Sequence, residues 1–116
     1  MSASPNPPPL KPQWFHILLA LADKELHGYG IRSEVLDRTD GTVNLWPGVL
    51  YRSLKGLSER GLIQDCSTPD SAPRDSRERH YYRITEAGEL ALAREAARMA
   101  SYVEAARAKD VLPSHG

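Results

Sequence analysis

Apolar positions along the chain switch between two periods, and the switches divide it into elements. Trp14, Ile17, Leu18 and Leu21 recur at helical spacing and predict a first helix from residue 13 to about residue 22. Asp23-Lys24-Glu25 is a polar turn. Ile31, Val35 and Leu36 form the next stripe, predicting a second helix over about residues 28–38. Thr39-Asp40-Gly41 ends it, with Gly41 as a left-handed cap or turn residue. Residues 42–46 alternate, with Val43 and Leu45 on one side, and read as a short strand. Helical spacing returns with Leu50, Leu54 and Leu57. A proline at the first helical position costs nothing, because that N–H has no intrahelical partner and the ring presets φ. Pro47 therefore starts a third helix, and Gly61 ends it. Residues 62–66 read as a strand, 67–78 as an exposed loop of turn-formers and charges, and the Tyr-rich 79–84 as a returning strand. Thr85 caps a last helix reaching about residue 109, with Glu86 and Glu89 near its positive end.

Three helices followed by a β-hairpin make a winged helix-turn-helix. The expected fold is mainly α with a small β-hairpin wing, plus a long C-terminal dimerisation helix. The organisation is a proline-rich tail over 1–12, the winged helix-turn-helix domain over 13–84, the dimerisation helix over 85–110 and a tail over 111–116. The five prolines among the first twelve residues favour extended geometry and read as a loose leader.

Composition narrows the chemistry mainly by exclusion. A formal net charge of +0 argues neither for nor against a polyanionic partner. The lone cysteine, Cys66, cannot form an internal disulfide and reads as a small buried hydrophobe in a reducing compartment. No apolar run approaches the roughly 18 residues that span a membrane, and no signal-peptide pattern is visible, so a cytoplasmic protein is expected. The four histidines and Cys66 lack metal-ligand spacing. No phosphate loop, nucleophile elbow or other catalytic constellation occurs, so neither a cofactor, a metal nor an enzymatic activity is expected.

Charge distribution says more than the total. Residues 51–83 carry seven basic and five acidic side chains, an excess that falls on the third helix and the wing. The second helix of a helix-turn-helix enters the major groove N-terminus first. In this chain Gly48 lets backbone approach a phosphate, the first amides favour an anion, Tyr51 can donate or stack, and Arg52 and Lys55 can reach phosphates or base edges. Wing arginines suit a narrow minor groove. Tyr81 and Tyr82 read as sheet packing. An alternative is a winged helix used for protein docking without DNA, motivated by the neutral net charge.

Leu92, Ala96, Met99, Val103 and Ala106 are spaced 4, 3, 4, 3 along the last helix, a heptad-like seam. A domain this small has little core to cover such a helix, so a partner helix and a homodimer are expected, with Trp14 assigned to core or dimer interface. Two-fold symmetry would present two reading helices to successive major grooves of a palindromic site.

The segments ILLAL (17–21), LHGYGI (26–31), PGVLYRSLKGLSERGLI (47–63) and RHYYRITEAGELAL (79–92), with the alanine-rich helix after them, resemble the PadR family of bacterial transcription regulators. The resemblance implies a winged-helix protein binding double-stranded DNA, dimeric through its C-terminal helix with help from the first. It implies a repressor released by a small aromatic effector. Carried over by position, Tyr29, Gly48, Tyr51 and Arg52 lie at the DNA with Lys55 beside them, and Arg74, Arg77 and Arg79 are the wing candidates. One position departs: the family often has Thr or Ser where this chain has Val49, which cannot bond a phosphate.

Overall fold

The computed structural model describes residues 9–67, 69 and 80–113. Its elements are α1 (Pro12–Ala20), β1 (Leu26–His27), α2 (Gly28–Arg38), α3 (Pro47–Glu59), β2 (Ile63–Cys66), β3 (Tyr81–Ile84) and α4 (Glu86–Ala108). The tail before Pro9, most of the expected 67–78 loop and Arg79 lie outside the described residues.

The termini of α2 and α3 follow the punctuation in the sequence. Pro47 is the first residue of α3. At its other end, the Leu62 and Gly61 amides donate to the Leu57 and Ser58 carbonyls at 3.0 Å each, and Gly61 has φ +72°. That arrangement is a Schellman cap, which needs a left-handed residue at this position. The same pair of bonds closes α2, where Asp40 (φ 51°) takes the left-handed place and Gly41 follows with φ 79°. The N-cap of α2 is His27, whose Nδ1 accepts from the Gly30 amide at 3.0 Å. α1 ends two residues earlier than its apolar spacing suggests, in a last turn where the Leu21 amide is shared between the Ile17 and Leu18 carbonyls.

The strand expected over residues 42–46 is not formed. The Val43 amide donates to Thr39 Oγ1 (3.1 Å) and the Trp46 amide to the Asn44 carbonyl (3.1 Å), so local turns satisfy the backbone. Leu45 still enters the core, at 2% exposure. The place beside the hairpin is taken instead by the two-residue β1. The sheet order is β1-β3-β2, antiparallel, with Leu26 opposite Tyr82 and His27 opposite Tyr81 on one side of β3, and Ile63 opposite Ile84 and Cys66 opposite Tyr81 on the other.

All three N-terminal helices supply the core: Ile17, Leu18 and Leu21 from the first, Ile31 and Val35 from α2, Leu50, Leu54 and Leu57 from α3, joined by Ile63 and Leu92. Trp14 is half-buried and lies over Gly56 of α3, where any Cβ would stand 2.7 Å from its Cζ2. The Lys11 ammonium and Arg60 guanidinium lie 5.3 and 5.4 Å from its ring.

Among the described residues, the buried positions of α4 lie in its first half. Thr85 caps it, accepting from the Gly88 amide (3.0 Å) and donating to the Gly61 carbonyl (2.6 Å). One hydroxyl thus ties the start of α4 to the end of α3. Thr85→Ala is expected to cost about 1–2 kcal/mol, the usual cap loss, read as a lower urea midpoint with an unchanged m-value, while Thr85→Ser stays near the parent. Gly88, Leu92 and Glu95 are the buried residues of the helix. Glu95, which the heptad reading passes over, accepts from the Leu10 amide (3.2 Å) and pairs with Arg98 (3.5 Å), satisfying a carboxylate only 6% exposed. Beyond it Met99 (37%), Tyr102 (62%) and Val103 (40%) are exposed, as is Ala96, while Ala106 is half-buried.

Candidate nucleic-acid interface

The mouth of α3 is open. Trp46 occupies its N-cap position and provides no side-chain cap, so the Gly48 and Val49 amides at the head of the helix have no capping acceptor among the described residues. Uncapped amides at the positive end of a helix dipole attract an anion. Gly48 is exposed, and a Cβ built there would meet only the Arg52 guanidinium, at 3.9 Å. Arg52 therefore folds back beside the helix mouth. Neither Arg52 nor Lys55, both exposed, has a carboxylate partner among the described residues.

Tyr51 is 56% exposed, and its hydroxyl edge rests on the first residue of α2: a Cβ at Gly28 would stand 2.9 Å from Tyr51 Oη. The glycine is what permits this close approach. Next to it, Tyr29 is 64% exposed and stacks on His27, ring centroids 6.3 Å apart. On the strand side, burial first, then the charge of Asp65 and then Tyr51 push the Tyr82 phenol above its ordinary range, which keeps it a protonated donor. Tyr51 thus rests on the start of α2. Tyr81 is buried, with the His27 ring edge-on at 5.2 Å.

The structure therefore exposes Gly48, Tyr51, Arg52 and Lys55 along the mouth and first turns of α3, and Tyr29 on the first turn of α2, beside the glycine on which Tyr51 rests. Arg74, Arg77 and Arg79 lie outside the described residues. Val49 is half-buried and packs against the core, so at this position the side chain serves packing. Cys66 is half-buried, and burial together with Glu25 and Asp65 raises its thiol pKa against the opposing effect of Arg83. A thiol held protonated is a weak nucleophile. No group of three metal-ligating side chains occurs among the described residues, and none of their helices is long and apolar enough to cross a membrane.

Sequence reasoning missed a cluster at the same mouth. Trp46 is 60% exposed, the Arg32 guanidinium of α2 lies 5.7 Å from its ring centroid, and Arg32 Nε donates to Asn44 Oδ1 at 3.2 Å. The signal available was Trp46 itself, a large aromatic directly before the proline that starts the helix.

Comparison with solved structures finds the same fold. A transcriptional regulator from Clostridium thermocellum has a TM-score of 0.66 at 21% identity, over 81% of this chain and 85% of that one. A PadR family transcription regulator from Clostridium difficile R20291 gives 0.68 at 22% identity, over 81% and 93%. Bacillus subtilis PadR in complex with operator DNA gives 0.59 at 25% identity, over 72% of this chain and 45% of that one. Comparison with curated proteins gives no match. Residues 17–94, from the core of α1 through the buried half of α4, match the Transcriptional regulator PadR-like family, and the chain belongs to that family.

Proposed function

We propose that the chain is a sequence-specific regulator that binds double-stranded DNA as a homodimer on a palindromic operator. The observation that carries the reading is the glycine-cleared mouth of α3, with Tyr51 resting on α2 beside it and two cations, Arg52 and Lys55, that have no carboxylate partner among the described residues. Such a surface matches a helix entering the major groove, its amides and cations on phosphate and its side chains at base edges. The operator complex of the Bacillus subtilis relative supports the same partner. Repression, with release by a small aromatic effector, follows from the family resemblance. A groove of about 530 Å³ between Leu10, Trp14 and α4 supports room for a small molecule.

The test is a gel shift on the chain's own upstream DNA at low and moderate salt, followed by selection from random duplexes. A retarded band that weakens steeply with salt, and a selected site with two-fold symmetry, are expected. No band at low salt would remove DNA binding and favour protein docking.

The exposed half of α4 supports the homodimer, since among the described residues Met99, Tyr102 and Val103 keep 37%, 62% and 40% of their surface in solvent. Met99→Glu with Val103→Glu is expected to convert the dimer to monomer in sedimentation while helix content stays unchanged. Persistence of the dimer would place the interface elsewhere.

A further inference from the structure

The Arg32–Asn44–Trp46 cluster joins α2 to the residues before α3 and lies outside the hydrophobic core. Trp46 leaves 60% of its surface in solvent, although it stands at the N-cap of a helix whose leucines, Leu50, Leu54 and Leu57, are buried. Its indole is not among the residues that form or pack against the core. Arg32 is half-buried and fixed twice, by Asn44 Oδ1 on its Nε and by the Trp46 ring on its guanidinium. Its two terminal nitrogens have no acceptor among the described residues. A guanidinium held flat by two neighbours, with its outer edge free, is preset for two parallel bonds to a planar or tetrahedral anion. Its position supplies the anion. Arg32 sits on the first helix of the helix-turn-helix, the one that crosses the sugar-phosphate backbone when the second helix enters the groove.

We propose that Arg32 and Trp46 form an additional DNA-backbone contact beside the reading helix: Arg32 takes a phosphate on its terminal nitrogens, and the exposed indole lies against the adjoining sugar. The contact rests on the DNA-binding reading and adds a backbone clamp to it. It positions the reading helix without choosing bases, because phosphate contacts carry no direct sequence information. A purely structural cation–π pair would add a little stability and would be indifferent to DNA.

The experiment titrates the full-length dimer with its selected operator and with a scrambled duplex across a range of salt. Arg32→Gln keeps a hydrogen-bonding side chain beside Asn44 but removes the charge. It is expected to lower affinity about tenfold for both duplexes and to reduce the slope of log affinity on log salt by about 0.9, the value of one phosphate. In parallel, the change in tryptophan emission on adding operator is expected to persist in Trp14→Phe and vanish in Trp46→Phe. An unchanged salt slope in Arg32→Gln, or an unchanged emission response in Trp46→Phe, overturns the proposal while the parent's binding stands. A parent that binds no duplex overturns both this contact and the reading beneath it.

Discussion

Replacing Tyr51 and Arg52 together by alanine is expected to abolish operator binding while leaving a folded dimer. Both side chains stand on the first turns of α3; Tyr51 is more than half exposed, and Arg52 has no carboxylate partner among the described residues. Contacts to phosphate or base edges of this kind are worth about 1–3 kcal/mol apiece, so losing two lowers affinity roughly a thousandfold. The buried face of the helix is made by Leu50, Ser53, Leu54 and Leu57 and is untouched. The core should therefore survive, although the ring that rests on Gly28 is lost. Tyr51→Phe separates the two roles of the tyrosine, since it keeps the ring on Gly28 and removes only the hydroxyl. Fluorescence anisotropy with labelled operator measures the affinity, and sedimentation checks the dimer. A double variant binding within about twofold of the parent would show that α3 is not the reading helix.

The second large effect concerns the fold. Gly88→Ala is expected to destabilise the chain by about 3 kcal/mol or more, lowering the melting temperature by roughly 10 °C. A Cβ at Gly88 collides with the Leu62 carbonyl oxygen and would also stand 2.8 Å from Ile84 Cγ1. The first neighbour is backbone, already accepting from the Thr85 amide, so it cannot step aside as a side chain can. Helix α4 would have to lift from the sheet, taking its cap and Leu92 with it. A domain of this size holds only about 5–15 kcal/mol in total, so such a loss is a large share. A melting temperature within two or three degrees of the parent's would mean that the helix can shift at little cost.

Comparing α3 with residues 42–46 shows where sequence reading works. α3 begins and ends as expected because Pro47 and Gly61 act locally, one through its fixed φ and missing N–H, the other through its left-handed conformation. Five alternating residues do not compel a strand, because pairing needs a free edge elsewhere in the chain. Here the edge of β3 was taken by Leu26 and His27, a pair too short to show any period. Glu95 was illegible for a related reason. Its burial depends on the Leu10 amide eighty-five residues away, which no local spacing announces. At the candidate interface, Tyr51, Arg52 and Lys55 were readable because docking geometry singles out the first turns of the second helix. The bracing of Tyr51 by Gly28, and of Arg32 by Trp46, was not, since each joins two helices.

The two-residue strand β1 also sets an order of events during synthesis. Its partner, β3, is made more than fifty residues later, and β3 is also the central strand that β2 requires. A nascent chain that has emerged only as far as α3 carries the residues of three helices and most of the leucine core, but Leu26 and His27 still lack their neighbours. Pairing of β3 therefore completes the sheet on both sides, and the strand pair that holds His27 under Tyr29 is complete only when residue 84 has left the ribosome.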